Sequence, residues 1–290
     1  MDAVIFACLA GLSFGAVNVV VLRAVRAGGD IDAGTFLVMA VAVPLVGIAA
    51  AIGGRGGEII FAELWPFLLI GAIVPGASQL LAARAVGEIG ASRTGVLLGT
   101  TPLVAALIAI AVFDEPVRAG LIAGTVLIVA GGVALSWERG RPAYFKRIGI
   151  VVALVVAVMF GIRDNVVRWV GGDAAAEPLV EAFVLFVGAT VALGIYLLAH
   201  GRGHTRIERL KRSALPFLPV GILNALGTVF IFEAFDRGRV TVASPLVATA
   251  ALWSVVLAAV FYRRSEAIGL RVVVVAIGVV AGGVLIGATR

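Results

Sequence analysis

The chain has 290 residues, of which 61% are hydrophobic and 14% charged, with a mean hydropathy of +1.13. An average soluble domain is roughly 45 to 50% apolar and about 25% charged, so this composition excludes a soluble globular protein. The net charge of +6, from 23 Lys and Arg against 17 Asp and Glu, falls in short segments between apolar runs and reads as membrane-flanking charge, with no stripe for nucleic acid.

A hydrocarbon core of about 30 Å needs roughly 20 apolar residues. Ten charge-poor runs of that kind occur in chain order, at 3–22, 35–52, 65–83, 94–113, 121–137, 148–169, 178–199, 215–235, 240–262 and 268–289. The first has no basic segment before it, and Arg23 and Arg26 follow it, so it is expected to stay as span 1 and not to be cleaved. The longest connection, His200 to Ser213, is expected to be a basic loop. Apolar/polar alternation is absent, which excludes a membrane β-barrel. The predicted fold class is an all-α membrane protein of ten transmembrane helices. Cys8 stands alone, so no internal disulfide is available, and His200 and His204 stand alone in a charged connection with no further His or Cys; neither metal nor cofactor is expected.

The chain repeats itself at an offset near 150. Pro66, Phe67, Leu68 and Gly71 recur as Pro216, Phe217, Leu218 and Gly221; Phe14, Gly15 and Asn18 align with Phe160, Gly161 and Asp164; Glu115 aligns with Glu266, and the run from Ala130 to Val133 with that from Ala281 to Val284. Five spans is an odd number, so the second copy enters the membrane from the opposite side. The division is 1–137 for the first five-helix repeat, 138–147 for a basic linker and 148–290 for the second repeat. Inverted repeats with a binding site at their interface are a common architecture of secondary transporters.

These residues carry a family resemblance. Two five-helix units, each with Phe-Gly (Trp-Gly in most relatives) in the first helix, a Glu shortly after the fourth and a Gly-rich fifth, resemble the EamA-type branch of the drug/metabolite transporter superfamily over nearly the whole chain. The run from Leu98 to Leu103 and the later Phe113, Asp114, Glu115, Pro116 are close to the family pattern. Span 9 departs from it, with Ala250 where the first copy has Pro102. The resemblance implies a ten-helix carrier, often an exporter of amino acids or other small metabolites, with spans 1, 3, 4, 6, 8 and 9 around the site.

The connections 1-2, 3-4, 5-6, 7-8 and 9-10 hold 16 Lys and Arg, counting Arg84 and Arg271, against 6 in the other loops and tails. The positive-inside rule therefore puts both termini outside, whereas family habit puts them in the cytoplasm; either way the protein is expected in the cell membrane.

Ionisable and polar side chains inside a span are costly and so mark function. Span 6 carries Arg163, Asp164 and Asn165; Arg163 offers a planar fork for a carboxylate or phosphate, and Asp164 can pair with it or carry a proton. Asn18 is the repeat counterpart of Asp164, serving either as a solute contact or as glue between helices. Ser78 and Gln79 follow Pro75 in span 3, Asn224 and Thr228 share a face of span 8, and Thr228 matches Ser78 in the repeat. Thr101 in span 4 and Trp253 in span 9 complete the expected solute-binding set. Glu233 is a second proton-coupling candidate, or a partner of Arg84 or Arg237. Glu181 is similarly open between these roles. Glu115 and Glu266 are expected to cap the fifth and tenth helices, and the Gly131-Gly132 and Gly282-Gly283 pairs to form packing or homodimer faces.

The expected function is a secondary carrier, no enzyme, exporting a small metabolite such as an amino acid by alternating access, with the solute and membrane lipid as its partners and no nucleic acid. The chief alternative is a cationic multidrug/proton antiporter of the same fold. An intramembrane lipid-modifying enzyme would need a metal site or convergent nucleophile and base; no HExxH occurs, and both histidines lie in the 7-8 connection.

Overall fold

The computed structural model describes residues 2–53, 61–113, 144–171, 177–200, 203–237, 246–247, 249–266 and 269–288, with scattered positions in 119–130. Its elements are α1 (Asp2–Arg26), α2 (Ile31–Gly53), α3 (Phe61–Gly71), a π-helical segment (Ala72–Ala77), α4 (Ser78–Ile89), α5 (Ala91–Leu98), α6 (Thr101–Phe113), α7 (Ile148–Gly171), α8 (Pro178–Ala199), α9 (Gly203–Arg237), α10 (Ala250–Glu266) and α11 (Leu270–Ala288). Seven spans among the described residues are long and apolar enough to cross a membrane, and Ala250–Tyr262 and Leu270–Leu285 are shorter apolar helices. Most of the expected fifth span, with Glu115, Gly131 and Gly132, lies outside the described residues, as does the side chain of Glu266.

Three pairs of contacts show how the two copies interlock. Gly47 faces the ring of Phe183, and Gly194 faces that of Phe36; the offset is 147 in both. A Cβ on Gly221 would meet Val41 and Val38 of α2, and one on Gly71 would meet the backbone of Leu185 on α8. Gly15 of α1 lies against Trp253 and Ser254 of α10, and Gly161 of α7 lies against Val104 and Ala105 of α6. The first helix of each copy thus crosses the fourth of the other, with glycine letting the backbones approach.

The spans are less regular than hydropathy implies. Span 3 breaks at the π-helical segment, where Val74 leaves helical geometry (φ −137, ψ 112). Pro75 lacks the N–H that would bond Gly71, and a residue before proline is pushed out of the α region. Span 4 breaks after Leu98, with the Thr100 hydroxyl donating to Leu97 O at 2.7 Å. Span 9 is interrupted at the matching place although no proline stands there: Thr249 forms the turn, and its hydroxyl donates to Leu246 O at 2.5 Å.

Two expected loops are corrected. The 3-4 connection is the single residue Gly90, at φ +91, so α5 starts at Ala91 and takes Ser92, Arg93 and Thr94 into a buried helix. The stretch from His200 to Ser213 is not a loop: α9 runs from Gly203 for 35 residues, about 52 Å and longer than the hydrocarbon core. Leu, Arg, Lys and Glu favour helix in that extension, and contacts to the α1–α2 turn hold it.

Candidate solute site in the membrane

The α6–α7 crossing places the polar residues of span 6. With Gly161 against Val104 and Ala105, Asn165 points into the same junction, where Nδ2 donates to Ala105 O at 3.0 Å and Gly161 O at 2.9 Å. This buried amide is spent on packing. Arg163 and Asp164 are not. Arg163 Nε and Nη2 donate to Asp164 Oδ1 at 2.9 and 2.6 Å, the guanidinium lies 5.2 Å from the centre of the Phe160 ring, and the two side chains remain 33% and 44% exposed.

Val155, Val158 and Ile162 form an exposed apolar stripe on α7, the surface a helix offers to hydrocarbon. At 3.6 residues per turn Asp164 points about 160° away from Ile162, so α7 has two accessible faces, one apolar and one ionic. An ion pair is affordable in a span only where it meets water or a polar ligand.

The matching crossing of α1 and α10 is closed. Asn18 Nδ2 donates to Ser254 Oγ at 3.0 Å, and that hydroxyl is also 2.9 Å from Ala250 O and 3.3 Å from Gly15 O. Gly95 of α5 packs on Ser254 and Asn18. Asn18 therefore joins three helices, with one of its two amide hydrogens committed to Ser254.

The remaining expected site residues are dispersed. Ser78 is buried and donates to Pro75 O at 3.3 Å, within the break of span 3, while Gln79 beside it is half-buried. Thr101 donates to Leu98 O at 2.7 Å. Thr228 donates to Asn224 O at 2.9 Å and lies on the face of α9 that carries Gly221 toward α2. Asn224 is buried with Nδ2 unpartnered among the described residues. Trp253 shares its exposed face of α10 with Val256 and Val260. Glu233 pairs with Arg237 at 2.6 Å, not with Arg84.

A polar network missed from the sequence ties the two copies together where α1 ends and α9 begins, here called the basic face. Asp30 caps α2 by accepting the Ala33 N–H at 2.9 Å, and its own N–H donates to Ser213 Oγ at 2.9 Å. Arg209 Nη2 donates to Asp30 Oδ1 and Asp32 Oδ2 at 2.8 and 3.0 Å. Arg84 Nη2 bonds Asp32 Oδ1 at 2.9 Å and the Tyr196 hydroxyl at 3.4 Å. Burial pushes the Asp30 carboxyl up, but the bonds from Arg209 and Ala33 outweigh it and hold the group below its ordinary value of 3.8. Nearby, Arg26 lies over the rings of Tyr144 and Tyr262 at 5.2 and 5.0 Å. In the sequence Arg209 enters only the charge count. Arg93, counted the same way, is fully buried in α5, three residues after Gly90.

Both copies match one family model, described as the EamA-like transporter family, over residues 1–137 and 147–288. The chain belongs to this family. It is a multi-pass membrane protein of a transporter family. A solved protein structure aligns with 99% of this chain and 98% of its own length, at TM-score 0.63 and 19% identity, a likeness of fold. No curated protein sequence gives a significant match.

Proposed function

We propose that this EamA-like transporter is a secondary carrier with ten spans that exports a small solute bearing a carboxylate, such as an amino acid, and binds it at Arg163 and Asp164 on α7. The observation that carries this reading is the exposed ion pair on the face of α7 turned away from its apolar stripe. A solute carboxylate would take the guanidinium fork from Asp164, and the freed Asp164 would receive a solute ammonium. The remaining polar candidates position helices around this site.

Alternating access follows from the inverted copies. Helix α1 packs on α4 of its own copy, whereas its counterpart α7 makes no comparable approach to α9 among the described residues. With the Asp30/Asp32 network joining the copies at the basic face, this supports a state closed there and open at the opposite face. The charge count makes the basic face cytoplasmic and both termini external.

The test is a thermal-shift screen of purified protein against amino acids, organic acids, nucleosides and amphipathic cations, followed by counterflow in liposomes, with Arg163→Ala in parallel. A ligand of the folded state raises the melting temperature by mass action. Carboxylate-bearing hits that disappear in Arg163→Ala support the reading. Hits confined to cations and indifferent to Arg163 would make the multidrug antiporter the better one.

A further inference from the structure

Among the described residues, Glu181 is a buried carboxylate in a span with no side-chain partner; Glu88 Oε2, at the basic-face end of α4, is also unpartnered. Asp32 and Asp164 sit on arginines, and so does Glu233. Glu181, in the first turn of α8, is only 7% exposed, and no hydrogen bond or ion pair reaches it among the described residues. The repeat shows how unusual its place is. At the offset of 147 set by the Gly47–Phe183 and Gly194–Phe36 contacts, the counterpart of Glu181 is Gly34, which lies under the ring of Phe217. Phe67 is the counterpart of Phe217 and is fully buried with Leu64 and Leu185, against Val180 and Val184. The second copy thus carries a buried carboxylate at the position where the first has a glycine under a ring.

The elements packed on α8 are α2, α3, the π-helical segment and α9. Asp32 of α2 is committed to Arg84 and Arg209 at the far end. On α9, Arg206, Glu208, Arg209, Lys211 and Arg212 belong to that same end, and Glu233 holds Arg237. The π-helical segment has no charged residue. The side chains of Glu63 on α3 and Arg168 on the adjoining end of α7 lie outside the described residues.

A buried carboxyl without a cation is accommodated by taking a proton, and ionisable groups retained in transporter spans serve in proton relays. We propose that Glu181 is a proton-binding site of the carrier, loaded while the face opposite the basic face is open and emptied as the copies rock. This rests on the carrier reading above. The carboxylate binds and releases H⁺ from water, with no other bond made or broken.

Infrared difference spectra of purified protein, titrated with pH, test proton binding without any solute. Wild type should gain a protonated-carboxyl band on acidification that is absent from Glu181→Gln and shifted in Glu181→Asp. In proteoliposomes given an equimolar mixture of labelled amino acids, Glu181→Gln should keep counterflow but lose accumulation driven by a pH gradient, and Glu181→Asp should restore part of it. A wild-type spectrum with no such band, or pH-driven accumulation that survives in Glu181→Gln, overturns the proposal. If no variant moves the mixture, the amino-acid reading fails and the infrared titration alone decides proton binding.

Discussion

The crossings of α1 with α10 and of α7 with α6 are the same joint built twice, and they end differently. In both, a glycine of the first helix lies on the fourth helix of the other copy, and an asparagine secures the contact: Asn18 to Ser254 at 3.0 Å, Asn165 to Ala105 O at 3.0 Å. At the first joint α5 covers the asparagine through Gly95, and nothing ionic is left over. At the second, one residue before the asparagine, the Arg163–Asp164 pair stays exposed. A repeated scaffold can therefore supply rigidity from one copy and a reactive surface from the other, because the packing contacts and the chemistry sit on different faces of the same helix.

The largest effects should come from forcing the joints apart. A Cβ on Gly15 would lie 2.5 Å from that of Trp253, and one on Gly161 2.8 Å from that of Val104, so Gly15→Val and Gly161→Val should each cost about 1 to 3 kcal/mol or more by overpacking. Unfolding of the purified variants in detergent measures this. A cost in one and not the other would mean that the joints are not equivalent.

Arg163→Ala should abolish solute-induced stabilisation with little change in the melting temperature of the empty protein. Asn18→Ala should do the reverse, retaining the solute response while losing about 0.6 to 2 kcal/mol, the range for interhelical hydrogen bonds in membranes. Thermal shifts with and without solute separate the two.

Smaller effects belong to the basic face. Asp32→Asn removes the ion pairs of Asp32 with Arg84 and Arg209, leaving Arg209 on Asp30, and should lower stability by about 1 kcal/mol at low salt, less at high salt. For Asp30, a folded-state value held below 3.8 means that its stabilising contribution is complete above that pH and is lost as pH falls through the lower folded value. Acid unfolding of wild type and Asp30→Asn should accordingly converge below about pH 4. Smallest of all, Thr100→Val and Thr249→Val each remove one hydroxyl bond to the helix's own carbonyl, and matching losses of about 0.5 kcal/mol are expected.

Much of this was legible in the sequence because a repeat is a statement about space. The match of Gly15 with Gly161 and of Gly71 with Gly221 marked the positions where backbones touch, and the charges in span 6 marked an exposed ionic face. Hydropathy failed where tertiary partners set the boundary. It could not extend α9 back to Gly203, since the bonds of Arg209 and Ser213 to the α1–α2 turn are distant in sequence, and it read Arg93 as loop because burial of its guanidinium depends on neighbours from other helices. Polar residues of similar appearance also diverged. Asn18, Asn165, Ser78 and Thr228 all make bonds within or between helices, an outcome that turns on which face meets a neighbour. The isolation of Glu181 became visible only when its repeat partner, Gly34, was placed under a ring.

Water access at the polar face of α7 is the claim on which the solute site depends. In a Cys8→Ser background, Asp164→Cys and Ile162→Cys can be reacted with a charged maleimide in lipid vesicles opened to both sides. The account predicts fast labelling at 164, slowed by a bound amino acid, and negligible labelling at 162. Labelling at 162 with position 164 inert would turn the ionic face toward lipid and contradict it.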